Sequence, residues 1–343
     1  MPLELDEALA AQEGIDKTRK VSVSDIPIID VAPLIGSGSV EDKARVAAQM
    51  AEAFTRVGFC YVANHGVPQD LIDRAFGLLP DFFGLPETEK AKITINTNQR
   101  GWLGMRRQTQ VHGKKPNRSE SFIFGLDLPE DDPDRKAGLP LHDTNKWPDG
   151  LPEFRSTLEA HWREMYALGP HLLRGLALAM GQDENFFEPM YKKPDSLLRC
   201  VMYPPSDPED ADAFGAGPHT DNGTLTILAQ DQVGGLQLRT LDGTWVDAPT
   251  LPGTFVINVG DMIMRWTNGV FRSTPHRVVS NNDHVRYSMP FFFFPDYRTR
   301  ISVLPEYTGA DNPPKFDPIV WGEYVVGQFS LAYAHFKDGE KPA

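Results

Sequence analysis

Apolar positions recur at two different spacings along this chain. VEDKARVAAQMAEAFTRVG, residues 40–58, repeats them every three or four positions and stops at Gly58, which predicts an amphipathic helix. QDLIDRAFGLLPDFFGLP (69–86) predicts a second helix, broken near Pro80, and residues 151–181 a third and longest one, bent at Pro170. Between them, IPIIDVAPL (26–34) and FCYVANHGV (59–67) read as short strands that end in turns. Residues 1–25 are polar without sustained periodicity and read as a tail or a short helix. From about 95 to 150 the pattern blurs. RGWLGMRRQTQVHGKKPNRSE, locally basic, is either a hairpin or a mobile loop, and PEDDPDRKAG is a solvated charged loop.

After about residue 195 the spacing changes. LLRCVMY, TLTILAQ, GLQLRT, TWVDAP, TFVINV, DMIMRW, HRVVS and VRYSMPFFFF follow at short intervals, separated by Gly, Asn and Asp. Short strands so spaced predict an antiparallel barrel or double-sheet jelly roll. FFFF (291–294) reads as a strand buried on both faces rather than an aromatic cage, and IVWGEYVVGQFSLAYAHF (319–336) as a closing helix. Helices first and strands later give an α+β organisation, with helices covering one face of the β structure.

Composition narrows the choice of partner. The 343 residues are 41% apolar and 24% charged, enough for one large domain or two ordinary ones. A net charge of −13 argues against nucleic-acid backbones as the main partner. The only cysteines, Cys60 and Cys200, lie in apolar runs and are expected to be reduced, buried thiols of a cytoplasmic protein. The opening MPLELDEALAAQEG has no signal-peptide core, and the chain has no apolar run of about eighteen residues, so no membrane association is expected.

One stretch, GPHTDNGTLTIL, places His219 and Asp221 two positions apart beside a predicted strand. On a strand, residues i and i+2 share a face. His276, in STPHRVV, offers a third ligand from a later strand. Two imidazoles and one carboxylate with open positions opposite suit non-haem Fe(II), although zinc accepts the same three groups. Ten residues on, Arg286 and Ser288 again stand at i and i+2. A guanidinium beside a hydroxyl makes a receptor for one carboxylate, and an Arg on a core-rich strand needs such a partner.

HTDNGTLTIL, GGLQL, NVGDMI, TNGVFRSTPHRVV and RYSMPFFF, with IPIIDVAPL and GFCYVANHGVP upstream, resemble the isopenicillin N synthase-like family of Fe(II)/2-oxoglutarate oxygenases. The resemblance runs from about residue 26 to about 335. It implies a double-stranded β-helix (jelly roll) core flanked by helices, with a helical N-terminal region. It implies segments at 1–25 (tail), 26–150 (N-terminal family region), 151–194 (long helical segment), 195–300 (jelly-roll core) and 301–343 (closing helix and tail). It implies that His219, Asp221 and His276 ligate Fe(II), that Arg286 and Ser288 bind the far carboxylate of 2-oxoglutarate, and that Tyr203 of VMYPP helps hold this co-substrate. Many plant members carry Asn where this chain has Val201. The implied reaction oxidises a small molecule with O₂ and yields succinate and CO₂. A 2-oxoglutarate-independent oxidase of the same fold, with Arg286 and Ser288 on a substrate carboxylate, stays open at this point. So does a metal-dependent hydrolase or sensor. His65 of N-H-G reads as structural, and the basic residues Arg106, Arg107, Lys114 and Lys115 read as a solvated loop near the pocket mouth.

Overall fold

The computed structural model describes residues 26–110, 115–210, 213–280 and 283–337. The expected N-terminal tail and Lys114 lie outside them.

The strands of the two main sheets are β1 (Ile28–Asp30), β2 (Phe59–Ala63), β3 (Gly101–Leu103), β4 (Glu120–Gly125), β5 (Leu197–Tyr203), β6 (Ala216–His219), β7 (Leu225–Gln230), β8 (Leu236–Arg239), β9 (Trp245–Asp247), β10 (Phe255–Val259), β11 (His276–Val278) and β12 (Arg286–Phe293). They form an eight-stranded sheet in the order β1-β2-β10-β7-β12-β5-β4-β3 and a four-stranded sheet in the order β6-β11-β8-β9. The small sheet covers one face of the large one: Leu236, Leu238, Val246 and Val278 share a core with Tyr61, Val201 and Val256. This is the jelly roll. The other face of the large sheet packs on helices α1 (Val40–Arg56), α2 (Gln69–Phe83) and α3 (Pro152–Ala179) through Ile227, Ile257, Phe291 and Phe293.

Period-two alternation therefore sorts each central strand into a helix-facing row and an interior row. On β12, Met289, Phe291 and Phe293 join the helical core, while Arg286, Ser288, Pro290 and Phe292 line the interior. The phenylalanine run is thus covered on both sides, as expected, and Phe292 and Phe294, packed against the core, also line a cavity.

α1 starts in a capping box, Ser39 bonding Asp42 N–H and Asp42 reaching back. It buries Val46, Met50 and Phe54. At Gly58 the backbone turns to φ +77°, where an added Cβ would strike Thr274 Oγ1.

Three local expectations are corrected. DMIMRW is not a strand but a short helix, α4 (Asp261–Trp266), burying Met262, Ile263 and Trp266 at helical spacing. A six-residue apolar run does not itself distinguish strand from helix. α2 does not break at Pro80 but runs on to Phe83, because Leu79, Phe82 and Phe83 are all buried on its inner face and that packing outweighs the lost amide donor. Asp221 is not on a strand, since β6 ends at His219. Of the two options for residues 100–120, the hairpin-like pairing holds: Gly101–Leu103 pairs antiparallel with Ser121–Ile123. The closing helix is α5 (Trp321–Ala332), anchored by the fully buried Trp321.

Candidate active site

His219 ends β6, and β11 pairs with it so that His276 lies directly opposite. Asp221 reaches the pair by a different route. The chain leaves the strand after His219, and the bend is held from outside: the amide N–H of Asp261 donates to the Asp221 carbonyl at 2.8 Å. Gly260 permits this approach, because a Cβ there would lie 2.5 Å from that same carbonyl oxygen.

Asp221 Oδ1 stands 3.9 Å from His219 Nε2 and 3.7 Å from His276 Nε2. One ligand atom from each residue lies within 4.8 Å of the others, a spacing that fits a single ion bound between them. Each imidazole uses Nδ1 to bond a carbonyl two residues back, His219 to Gly217 O at 2.8 Å and His276 to Thr274 O at 3.2 Å. A bond to a carbonyl requires the proton on Nδ1, so both Nε2 lone pairs point inward. Asp221 Oδ2 accepts from Thr226 Oγ1 at 2.6 Å and Asn258 Nδ2 at 2.7 Å, which leaves Oδ1 to face the histidines. Burial, then the neighbouring His276, hold His219 below its ordinary pKa and so in the neutral form that a metal needs. Burial pushes the Asp221 carboxyl up, but the bonds it accepts from Asn258 and Thr226 favour the carboxylate, and its pKa stays below the ordinary value.

The triad opens into a cavity of about 610 Å³ between the two sheets. Arg286 and Ser288 lie on the interior row of β12, and Tyr203 pairs with Arg286 across β5. Arg286 is 4% exposed, stacks 4.8 Å from the Tyr203 ring, and spends Nη2 on Gln230 Oε1 at 3.1 Å. Among the described residues its buried Nε and Nη1 have no partner. A guanidinium so placed is costly unless an anion completes it, and a dicarboxylate chelating the ion would supply one.

All six residues singled out from the sequence therefore line one cavity. Thr226, Asn258 and Arg199 were not singled out. A Thr five positions from Asp221 and an Asn in a buried strand carry no periodic signal, and their role depends on tertiary approach. His65 is structural, accepting from Val67 N–H and stacking on Phe255. Arg106 and Lys115 are held by Asp210 at 2.7 and 3.1 Å and do not line the cavity.

A histidine–aspartate–histidine cluster in the mouth of a jelly roll, with a buried cation awaiting an acid, defines a class: non-haem metal oxygenases that bind an oxo-acid. Comparison with known proteins agrees. Residues 26–150 match the model of the N-terminal region of non-haem dioxygenases in morphine synthesis, and residues 194–295 that of the 2OG-Fe(II) oxygenase superfamily. The chain is 34% identical to a 2-oxoglutarate-Fe(II) type oxidoreductase of Emericella nidulans over 90% of both chains. It is 33% identical to isopenicillin N synthase of Amycolatopsis lactamdurans, over 89% of this chain and 95% of the relative. Among solved structures, a full-length Neurospora crassa protein in complex with alpha-KG and thymine superposes with a TM-score of 0.78 at 29% identity, covering 93% of this chain and 99% of the other. The chain belongs to the isopenicillin N synthase-like family of Fe(II)/2-oxoglutarate oxygenases. It is a 2-oxoglutarate-dependent dioxygenase that uses Fe(II) and O₂ to oxidise a small molecule.

Proposed function

We propose that His219, Asp221 and His276 hold the Fe(II) of this dioxygenase and that Arg286, Ser288 and Tyr203 hold its 2-oxoglutarate, so that hydroxylation of a small metabolite takes place in the cavity beside them. The observation that carries the assignment is the half-satisfied, buried guanidinium of Arg286 in the same cavity as three convergent ligand atoms.

When bound, iron and 2-oxoglutarate supply oxygen activation coupled to release of succinate and CO₂. The chain's own residues supply geometry. His219 and His276 turn Nε2 inward while Nδ1 bonds a carbonyl, and Asp221 presents one oxygen while Thr226 and Asn258 keep the other occupied. Arg286 offers two free N–H edges to the far carboxylate, and the Ser288 hydroxyl lies on the same row to add a third bond. Phe292, Phe294 and Phe329 cover the cavity with apolar surface that keeps bulk water from the reacting centre.

Among the described residues no helix is long and apolar enough to cross a membrane. Cys60 and Cys200 are free and buried, and burial pushes both thiols up and so keeps them unreactive. We read the chain as a cytoplasmic enzyme on this basis.

The test is anaerobic. Fe(II) followed by 2-oxoglutarate should develop the weak visible charge-transfer band of a chelated keto acid. Arg286→Ala should raise the 2-oxoglutarate concentration needed for that band by about tenfold to a hundredfold. A band in Arg286→Ala at wild-type concentrations would remove Arg286 from the co-substrate site.

A further inference from the structure

Arg199 is a further cation of the cavity, held by uncharged side chains. It lies on the interior row of β5, the row that also carries Leu197, Val201 and Tyr203. Nε donates to Ser121 Oγ at 2.9 Å, Nη2 to Gln108 Oε1 at 2.8 Å, and Nη1 to Tyr333 OH at 3.4 Å. All three acceptors are neutral, and among the described residues no carboxylate lies within ion-pair distance of Arg199. Three of the five N–H groups of a guanidinium are used, leaving two for a ligand.

Position separates Arg199 from the co-substrate anchor. Tyr203 pairs with Arg286 and Val201 with Ser288. Arg199 is two residues further along the same row, about 13 Å from the Tyr203 end at the rise of a strand. The two guanidinium groups thus stand toward opposite ends of one wall.

Charge completes the argument, and it rests on the function proposed above. Once iron and 2-oxoglutarate are in place, the two charges of Fe(II) and the one of Arg286 are matched by Asp221 and by the two carboxylates of the co-substrate. Asp261 and Arg265, both on α4 and both lining the cavity, bring one charge of each sign. Among the described residues lining the cavity, Arg199 is left without a counter-charge, in a partly buried site where a lone cation is costly. Beside it the wall is apolar and aromatic: Leu197, Phe292 and Phe294, the two rings stacked 5.6 Å apart.

We propose that Arg199 is the specificity residue of this enzyme and that its substrates are small carboxylic acids. The carboxylate is held by Arg199 and the apolar body lies against Phe292, turned toward the triad.

The test measures binding. Protein loaded anaerobically with Fe(II) and 2-oxoglutarate is titrated calorimetrically with 4-phenylbutyrate, cinnamate and indole-3-acetate, and with the primary amide of each. At least one acid should bind about tenfold to a hundredfold more tightly than its amide. Arg199→Gln should abolish that preference while leaving the affinity for 2-oxoglutarate within twofold of wild type. Arg199→Lys, which keeps the charge but not the planar fork, should retain part of it. Thermal unfolding of each variant checks that it is folded. The proposal is overturned if no acid outbinds its amide, if Arg199→Gln keeps the preference, or if Arg199→Gln loses 2-oxoglutarate instead. Arg286→Gln separates the two readings. Its retention of wild-type 2-oxoglutarate affinity would overturn the co-substrate assignment, whereas loss of acid selectivity confined to Arg199 variants speaks to the substrate alone.

Discussion

The two carboxylate oxygens of Asp221 have different work. One is bonded by Thr226 and Asn258, and only the other faces the histidines. Without those donors the carboxylate could rotate or accept water on both sides. Asn258→Ala, alone or with Thr226→Val, should therefore lower Fe(II) affinity by about tenfold to a hundredfold, the range seen when such supporting bonds are lost. A metal titration of the folded apo variants checks this. His161 presents the opposite case. It is fully buried in α3 with neither ring nitrogen partnered among the described residues, and burial lowers its pKa to about 4. In the unfolded chain it titrates near its ordinary value of about 6.5. Below that pH the unfolded chain takes up a proton that the native protein refuses, so stability is lost as pH falls from about 6.5 to about 4. The loss is at most about 3 kcal/mol. Denaturant unfolding of the apo protein across this range should show a shallower decline for His161→Leu than for wild type. Equal slopes would mean that His161 finds a partner in solution.

At the scale of elements, the site depends on the junction of β10 with α4. Gly260 caps α4 in an extended conformation and lies against the backbone of Asp221 and Gly223. A methyl group there must push the Asp221 bend away. Gly260→Ala should cost about 1–3 kcal/mol of stability and weaken Fe(II) binding as well, whereas a change that merely loosened the fold would leave the affinity of the folded fraction intact. Unfolding curves and metal titrations on the same samples separate the two. The same junction shows where reading a chain by pattern stops. DMIMRW read as one more short strand, but it coils, because Met262, Ile263 and Trp266 find burial on one helical face. Elsewhere alternation was a reliable guide. Arg286 and Ser288 share the interior row of β12 because the period of a strand is two, and no neighbour needed to be known to say so.

Across the whole molecule the large sheet is assembled from both halves of the chain. β10 pairs with β2, and β5 with β4, so the strands nearest the site are flanked by strands from residues 59–63 and 120–125. Residues 194–343 contain every candidate ligand and anchor, but alone they would expose two sheet edges and lose the cover of α1, α2 and α3. Such a fragment should lack a cooperative unfolding transition and native Fe(II) affinity, as near-UV circular dichroism and metal titration would show.

The chemistry of this protein was legible from one dimension. The identities and order of His219, Asp221, His276, Arg286 and Ser288 are local facts about residue type and spacing, and the shared face of Arg286 and Ser288 follows from strand geometry alone. The convergence of Asp221 with the histidines was read correctly, but for the wrong reason, since the bend and not a strand brings it there. Partnership was not legible. Asn258 reaches Asp221 from 37 positions away, and Arg199 meets Gln108 and Tyr333 across 91 and 134 positions. Whether a buried cation is satisfied depends on every group around it, and only the packed sheets show that Arg286 and Arg199 each face the cavity without an acid from the described residues beside them.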